Sequence, residues 1–271
     1  MAAFTLHHML TLIFGILGNI FSVLVYLAPL PTFYRIYKKR STEGFQSTPY
    51  VFALLSGVTW IYYAFLKSGA FLLITINAFG CVIETIYMVV FIVFAARKAM
   101  VLATMLLFVA MGVFSLIVLL TLFLAKGEHR VYILGWISVA ISTSVFASPF
   151  GIMRLVIQTK SVEFMPFSLS LFLTLSAIMW FSYGMVLKDY FIAVPNVVGF
   201  IFGVIQMGLY VMYKNKNRIT TEKLPEQTAD IIELDTKEIP EVHPVDEIEH
   251  NSESEKHVYS SDREETTHTE V

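Results

Sequence analysis

Residues 15–63, GILGNIFSVLVYLAPLPTFYRIYKKRSTEGFQSTPYVFALLSGVTWIYY, return 120 positions later as residues 135–183, GWISVAISTSVFASPFGIMRLVIQTKSVEFMPFSLSLFLTLSAIMWFSY. Eleven positions are identical, against roughly 4 expected from apolar composition alone. Many of the matches are not interchangeable aliphatics: they include Gly15/Gly135, Ser22/Ser142, Pro29/Pro149, Ser56/Ser176, Trp60/Trp180 and Tyr63/Tyr183. Dropping one residue from the next loop extends the match to Asn77/Asn196 and Gly80/Gly199. The chain therefore reads as two copies of one unit.

Apolar runs close to the roughly 20 residues that cross a hydrocarbon core of about 30 Å occur seven times, near 9–30, 47–66, 71–95, 100–125, 131–157, 167–186 and 190–213. They are continuous rather than alternating, so they predict helices and not barrel strands, because a backbone in lipid must satisfy its own hydrogen bonds. Spans 1–3 are copied in spans 5–7. A three-span unit ends on the side opposite to its start, so a direct copy would be inverted; span 4, which has no counterpart, restores the parallel orientation. The expectation is an all-α membrane protein with seven transmembrane helices, arranged as two parallel three-helix repeats joined by a linker helix. The boundaries are 1–97 for the first repeat, 98–127 for linker helix 4, 128–213 for the second repeat and 214–271 for a disordered acidic cytosolic tail. No cleavable signal peptide is expected, since Met1–His8 lacks Lys and Arg and the first run is too long for a signal core.

With 56% hydrophobic and 15% charged residues, the composition excludes an ordinary soluble enzyme, whose charged share is roughly 25%. The net charge of −2 hides an asymmetry: residues 219–271 hold 16 of the 21 acidic and 4 of the 19 basic residues, a net of −12. Nucleic acid is not an expected partner. One cysteine, Cys81, excludes a disulfide framework and a Cys-based zinc site, and no metal or other cofactor is expected. Basic residues crowd one set of loops, with Arg35, Lys38, Lys39, Arg40, Arg97, Lys98, Arg154, Lys160, Lys214, Lys216 and Arg218 on one side. By the positive-inside rule that side is cytosolic, the N-terminus lies outside and the C-terminus inside.

In a parallel duplication about an axis along the membrane normal, a ligand site is expected near mid-membrane where the copies meet. Asn77 and Asn196 offer amides, Ser22, Ser56, Ser142 and Ser176 hydroxyls, and Trp60 and Trp180 flat apolar faces. That set suits a sugar, a ring of hydroxyls around apolar C–H faces, and needs no charge. Ser56/Trp60 and Ser176/Trp180 are each four apart and share a helix face. The bland alternative is that Ser and Asn only tie helices together and that Trp marks the interface belt, as Trp136 does. Pro29, Pro49, Pro149 and Pro166, near the cytosolic ends of four spans, suggest hinges, with simple helix termination as the alternative. Asp189 is expected in a short loop near the extracellular mouth with Tyr63 and Tyr183, or simply solvated.

Glu84 lies within span 3 at i+7 from Asn77. An intramembrane carboxyl is a functional suspect and a possible proton carrier, but Gly203 stands at its repeat position and no His or Asp sits at similar depth, so a structural role is favoured. Span 7 has no interior Lys for a retinal Schiff base, and no catalytic grouping lies within the membrane. A seven-helix receptor, a channel and a proton-coupled sugar carrier using Glu84 are the competing classes.

The stretches GILGNIFS (15–22), LAPLPTF (27–33), STEGFQSTPY (41–50), ITINAFGCVIETIY (74–87), SVEFMPFSLSLFLTLSA (161–177) and AVPNVVGF (193–200) together resemble the SWEET sugar facilitators of plants, over residues 9–213. The resemblance implies the parallel-repeat architecture already known for SWEETs. It further implies bidirectional sugar uniport by alternating access without ion coupling, and frequent homo-oligomers. Carried over residue by residue, it makes Asn77 and Asn196 the sugar-binding asparagines and Trp60 and Trp180 the flanking tryptophans. Ser22, Val25, Ser56, Ser142, Val145 and Ser176 become the rest of the lining, and Pro29, Pro49, Pro149 and Pro166 the inner-gate tetrad. Small Val25 and Val145 resemble the wider pocket of the sucrose-transporting group. The implied partners are sucrose or glucose, the lipid bilayer and further copies of the chain, and the implied location is the plasma membrane.

Overall fold

The computed structural model describes the backbone of residues 2–237 except 163 and 164, and side chains between 5 and 214. It divides into two compact units, Met1–Lys223 and Leu224–Val271. Its helices are α1 (Ala2–Leu27), α2 (Leu30–Lys39), α3 (Thr48–Leu66), α4 (Phe71–Phe94), α5 (Arg97–Leu124), α6 (Gly127–Val145), α7 (Ala147–Thr159), α8 (Phe167–Val186) and α9 (Tyr190–Lys237). They make seven segments long and apolar enough to cross a membrane, in Thr5–Lys39, Thr48–Leu66, Phe71–Phe94, Arg97–Leu124, Gly127–Thr159, Phe167–Val186 and Tyr190–Lys214. The protein is an all-α membrane protein.

Spans 1 and 5, each read from sequence as one run, are both broken. Pro29 lacks an N–H, so the helical ladder cannot continue through it; α1 ends at Leu27 and α2 restarts at Leu30. In the second copy α6 ends at Val145 and α7 starts at Ala147, two residues before Pro149. Both short segments end alike: Arg40 and Lys160 take left-handed backbone angles, φ 53° and 55°, and return their N–H groups to Ile36 and Val156. These are equivalent positions of the repeat.

The copies interlock reciprocally. α1 packs on α8 and on α4, while α3 packs on α6 and on α4; span 1 of one copy thus faces span 6, and span 2 faces span 5. The linker α5 packs on α3, α4 and α6. Tyr62 of α3 shares a hydrogen bond of 2.9 Å with Thr121 of α5 and accepts from the guanidinium of Arg130 on α6. In the first inter-helix loop at the basic end, Glu43 pairs with Arg35 and Lys39, each at 2.5 Å. The hydrogen bond from Lys39, then that from Arg35, holds its carboxyl below the ordinary carboxylate range.

In the second unit the described backbone is helical to Lys237, where composition led to an expectation of disorder. Glu226, Gln227, Ala229, Glu233 and Leu234 there are among the better helix formers. Residues 238–271, and the expectation of a disordered tail over them, lie outside the described residues.

Candidate sugar site

The repeat-matched serines and tryptophans meet across the boundary between the copies. Trp180 Nε1–H donates to Ser22 Oγ at 3.0 Å and Trp60 Nε1–H donates to Ser142 Oγ at 2.5 Å. Ser22 is also bonded to Ser176 at 2.7 Å, and Ser56 to Ser142 at 3.1 Å. Both indoles are buried, so their faces and the serine hydroxyls form one polar–aromatic layer built equally from both halves. Trp60 and Trp180 stand edge-on to Tyr63 and Tyr183, at 5.3 and 5.2 Å between centroids.

The asparagines repeat one another's geometry. Asn77 Nδ2 donates to Leu73 C=O at 2.8 Å and Asn196 Nδ2 donates to Ile192 C=O at 2.7 Å, each one turn back. One amide hydrogen is spent locally; the amide oxygen and the second hydrogen give each side chain capacity for a hydroxyl-rich ligand. Small residues beside the serines let the Asn-bearing helices approach. A Cβ at Gly57 would stand 2.8 Å from Cys81 Sγ and 3.9 Å from Asn77 Oδ1, and one at Gly199 would stand 3.6 Å from the Ala177 Cβ. Val25 and Val145 are both half-buried.

At the end opposite the basic loops, Asp189 is 2% exposed rather than solvated. Its Oδ1 accepts from the Phe191 and Ile192 N–H groups at 3.1 and 3.4 Å, capping α9. Its Oδ2 accepts from Tyr63 Oη at 2.7 Å and lies 3.5 Å from Lys67 Nζ. Tyr183 Oη donates to Gly69 C=O at 3.3 Å. These bonds join the two copies at that end.

The four prolines divide. Pro29 and Pro149 accompany the breaks in spans 1 and 5, whereas Pro49 lies in the first turn of α3 and Pro166 is the N-cap of α8, places where a missing N–H costs nothing. Glu84 is buried, and its Oε2 has no hydrogen-bond partner.

Several contributors escaped sequence reasoning. Gly18 seats Trp180, whose ring atoms lie 3.0–3.3 Å from where a Cβ would stand; its repeat position is Ser138, so identity matching passed over a position that is small in both copies. Lys67 and the Tyr62–Thr121–Arg130 contact carry no repeat signal. Tyr26 and Phe146, equivalent at the 120-residue offset, lie against Gly80 and Gly199, and differ only by a hydroxyl.

Fold and site thus define a membrane protein of two interlocked helical repeats with a shared polar–aromatic layer between them. The family described as "Sugar efflux transporter for intercellular exchange" matches residues 12–99 and again 132–218. The chain is 52% identical over 259 residues to the bidirectional sugar transporter SWEET15 of Oryza sativa subsp. indica, covering 87% of this chain and 81% of that one. It is 58% identical over 223 residues to SWEET13 of Oryza sativa subsp. japonica, covering 82% and 75%, and 50% identical over 250 residues to SWEET11 of Arabidopsis thaliana, covering 89% and 86%. A solved eukaryotic SWEET transporter superposes with a TM-score of 0.74 at 37% identity, covering 78% of this chain and 99% of that one. The chain belongs to the SWEET family of sugar transporters; its relatives are transporters and not enzymes.

Proposed function

We propose that the protein is a bidirectional facilitative carrier of sucrose, with hexose as a secondary substrate, working by alternating access in the plasma membrane. The observation that carries this reading is the reciprocal Ser–Trp exchange between the copies, flanked by Asn77 and Asn196. It presents hydrogen-bonding groups and aromatic faces together, with no ion pair inside the layer. Sugar hydroxyls compete for the serine and asparagine bonds while the indoles cover the C–H faces. Val25 and Val145 leave room for two rings.

In this reading the basic loops face the cytosol and the N-terminus lies outside, so the Tyr63–Asp189–Lys67 cluster and the Tyr183–Gly69 bond close the extracellular mouth. The bends at Pro29 and Pro149 let α2 and α7 swing, while Pro49 and Pro166 set the starts of the neighbouring helices. The same reading includes a homo-oligomeric assembly.

Radiolabelled sucrose and glucose flux, inward and outward, in cells expressing the chain tests it. Saturable flux in both directions that persists when the proton gradient is collapsed is the expected result. Flux abolished by an uncoupler, or a sugar-independent ionic current, refutes it and makes Glu84 a proton carrier or the protein a channel.

A further inference from the structure

The two bends are not held alike. With no N–H at Pro29, the Val25 carbonyl is taken by Ala28 N–H at 3.2 Å. The next carbonyl, Tyr26 C=O, would meet Leu30 N–H in an unbroken helix. Here it accepts instead from the Tyr87 hydroxyl of α4 at 2.9 Å. Tyr87 is 1% exposed, and its ring stacks on Phe33 of α2 at 4.2 Å and 10°. One side chain is thus fastened to both sides of the break, to the backbone before it and to an aromatic ring after it. Tyr50 of α3 packs edge-on to both rings.

One turn before Tyr87, on the same face of α4, Glu84 is 6% exposed and keeps an unpartnered carboxyl oxygen. The Tyr26 ring lies against Gly80, one turn before Glu84 on α4. An open acceptor in a buried place is costly, which favours a second arrangement that fills it. The second copy has none of this: Phe146, Gly203 and Gln206 occupy the positions of Tyr26, Glu84 and Tyr87.

We propose that Tyr87 is a positioning residue for the bend of span 1: its hydroxyl holds the Tyr26 carbonyl in the bent arrangement and passes to the Glu84 carboxyl when the span straightens. Leu30 N–H then takes the carbonyl, and the Glu84 oxygen left open in the bent arrangement gains a donor. The inference rests on the two-state carrier reading above. It makes the first copy the latched half and leaves the bend of the second copy free of any such latch.

The test measures distances between spin labels at Lys38→Cys and Gln158→Cys, equivalent and exposed positions of α2 and α7, in the full-length chain carrying Cys81→Ser and held in lipid nanodiscs. Two populations are expected. Glu84→Met, which removes the second acceptor while filling its volume, should raise the bent-to-straight ratio about three- to tenfold, the worth of one buried hydrogen bond. Added to Tyr87→Phe, the same change should move the ratio less than about twofold. Glu84→Gln keeps an acceptor oxygen and should stay within about twofold of the parent. An equal effect of Glu84→Met with and without Tyr87→Phe, a Glu84→Gln shift as large as that of Glu84→Met, or one unshifted population throughout overturns the hand-over. Sugar flux in the labelled parent, measured in parallel, separates this failure from failure of the carrier reading.

Discussion

Trp60 of the first copy gives its indole N–H to Ser142 of the second, and Trp180 of the second gives its own to Ser22 of the first. Each serine is also tied to the serine one turn before its donor tryptophan, Ser142 to Ser56 and Ser22 to Ser176. The halves therefore do not merely abut. In the carrier reading proposed above, the groups that take the substrate are the same groups that join the copies, so binding and the relative movement of the halves would draw on one set of bonds.

Removing an acceptor from that set tests it directly. Ser142→Ala and Ser22→Ala each leave an indole N–H without its partner, at about 1 to 3 kcal/mol. Each variant should melt earlier in detergent and carry sugar more slowly. Unchanged melting and flux in both would show that the exchanged bonds are dispensable.

Asn77→Ala and Asn196→Ala should each lower kcat/KM for sugar about 5- to 150-fold, the rate equivalent of about 1 to 3 kcal/mol per lost polar contact, with normal surface expression. The local bond to the preceding turn is weak support for structure alone, so wild-type flux in both variants would remove them from the site.

Gly18→Ala places a methyl group 3.0–3.3 Å from the Trp180 ring. The ring must give by a few tenths of an ångström, and the expected result is a raised KM with the protein still folded at the membrane. A KM equal to wild type would show that Trp180 tolerates the displacement.

Val25→Leu combined with Val145→Leu narrows the layer from both copies. Overfilling costs about 1 to 3 kcal/mol, and it should fall on the larger sugar, so sucrose uptake is expected to drop well below glucose uptake. Equal losses would make these valines packing residues.

Asp189→Ala removes the α9 cap, worth about 1 kcal/mol, together with the acceptor for Tyr63; Asp189→Asn keeps both roles in weaker form. Transport by the alanine variant should fall further than by the asparagine variant. Identical transport in the two would mean that the carboxylate joins nothing that matters to the cycle.

The duplication and the seven spans were legible because both rest on one-dimensional signals, a fixed offset and runs of apolar residues. The paired Asn, Ser and Trp residues were found the same way, as identities between copies. Bond partners were not: nothing in the spacing of Ser22 and Trp180 says that they meet, since that follows from how α1 packs on α8. Asp189 read as an acid of a short loop near Tyr63 and Tyr183, or simply solvated; its burial and its pairing with Lys67 depend on how the end of α3 meets the start of α9. The break in span 5 falls at Phe146, three residues before the proline that marks it in sequence, since a proline ring disturbs the turn preceding it.

The interlocking of the halves bears on how such a molecule assembles. Because Ser22 and Trp60 sit where Ser142 and Trp180 sit in the other half, two separate copies of the first half carry both members of the exchange. Each Ser22 could meet the Trp60 of a neighbouring polypeptide. As independent chains they would associate only above a threshold concentration. Joined through α5, they meet at a local concentration fixed by the tether, and their pairing no longer depends on how much protein the bilayer holds.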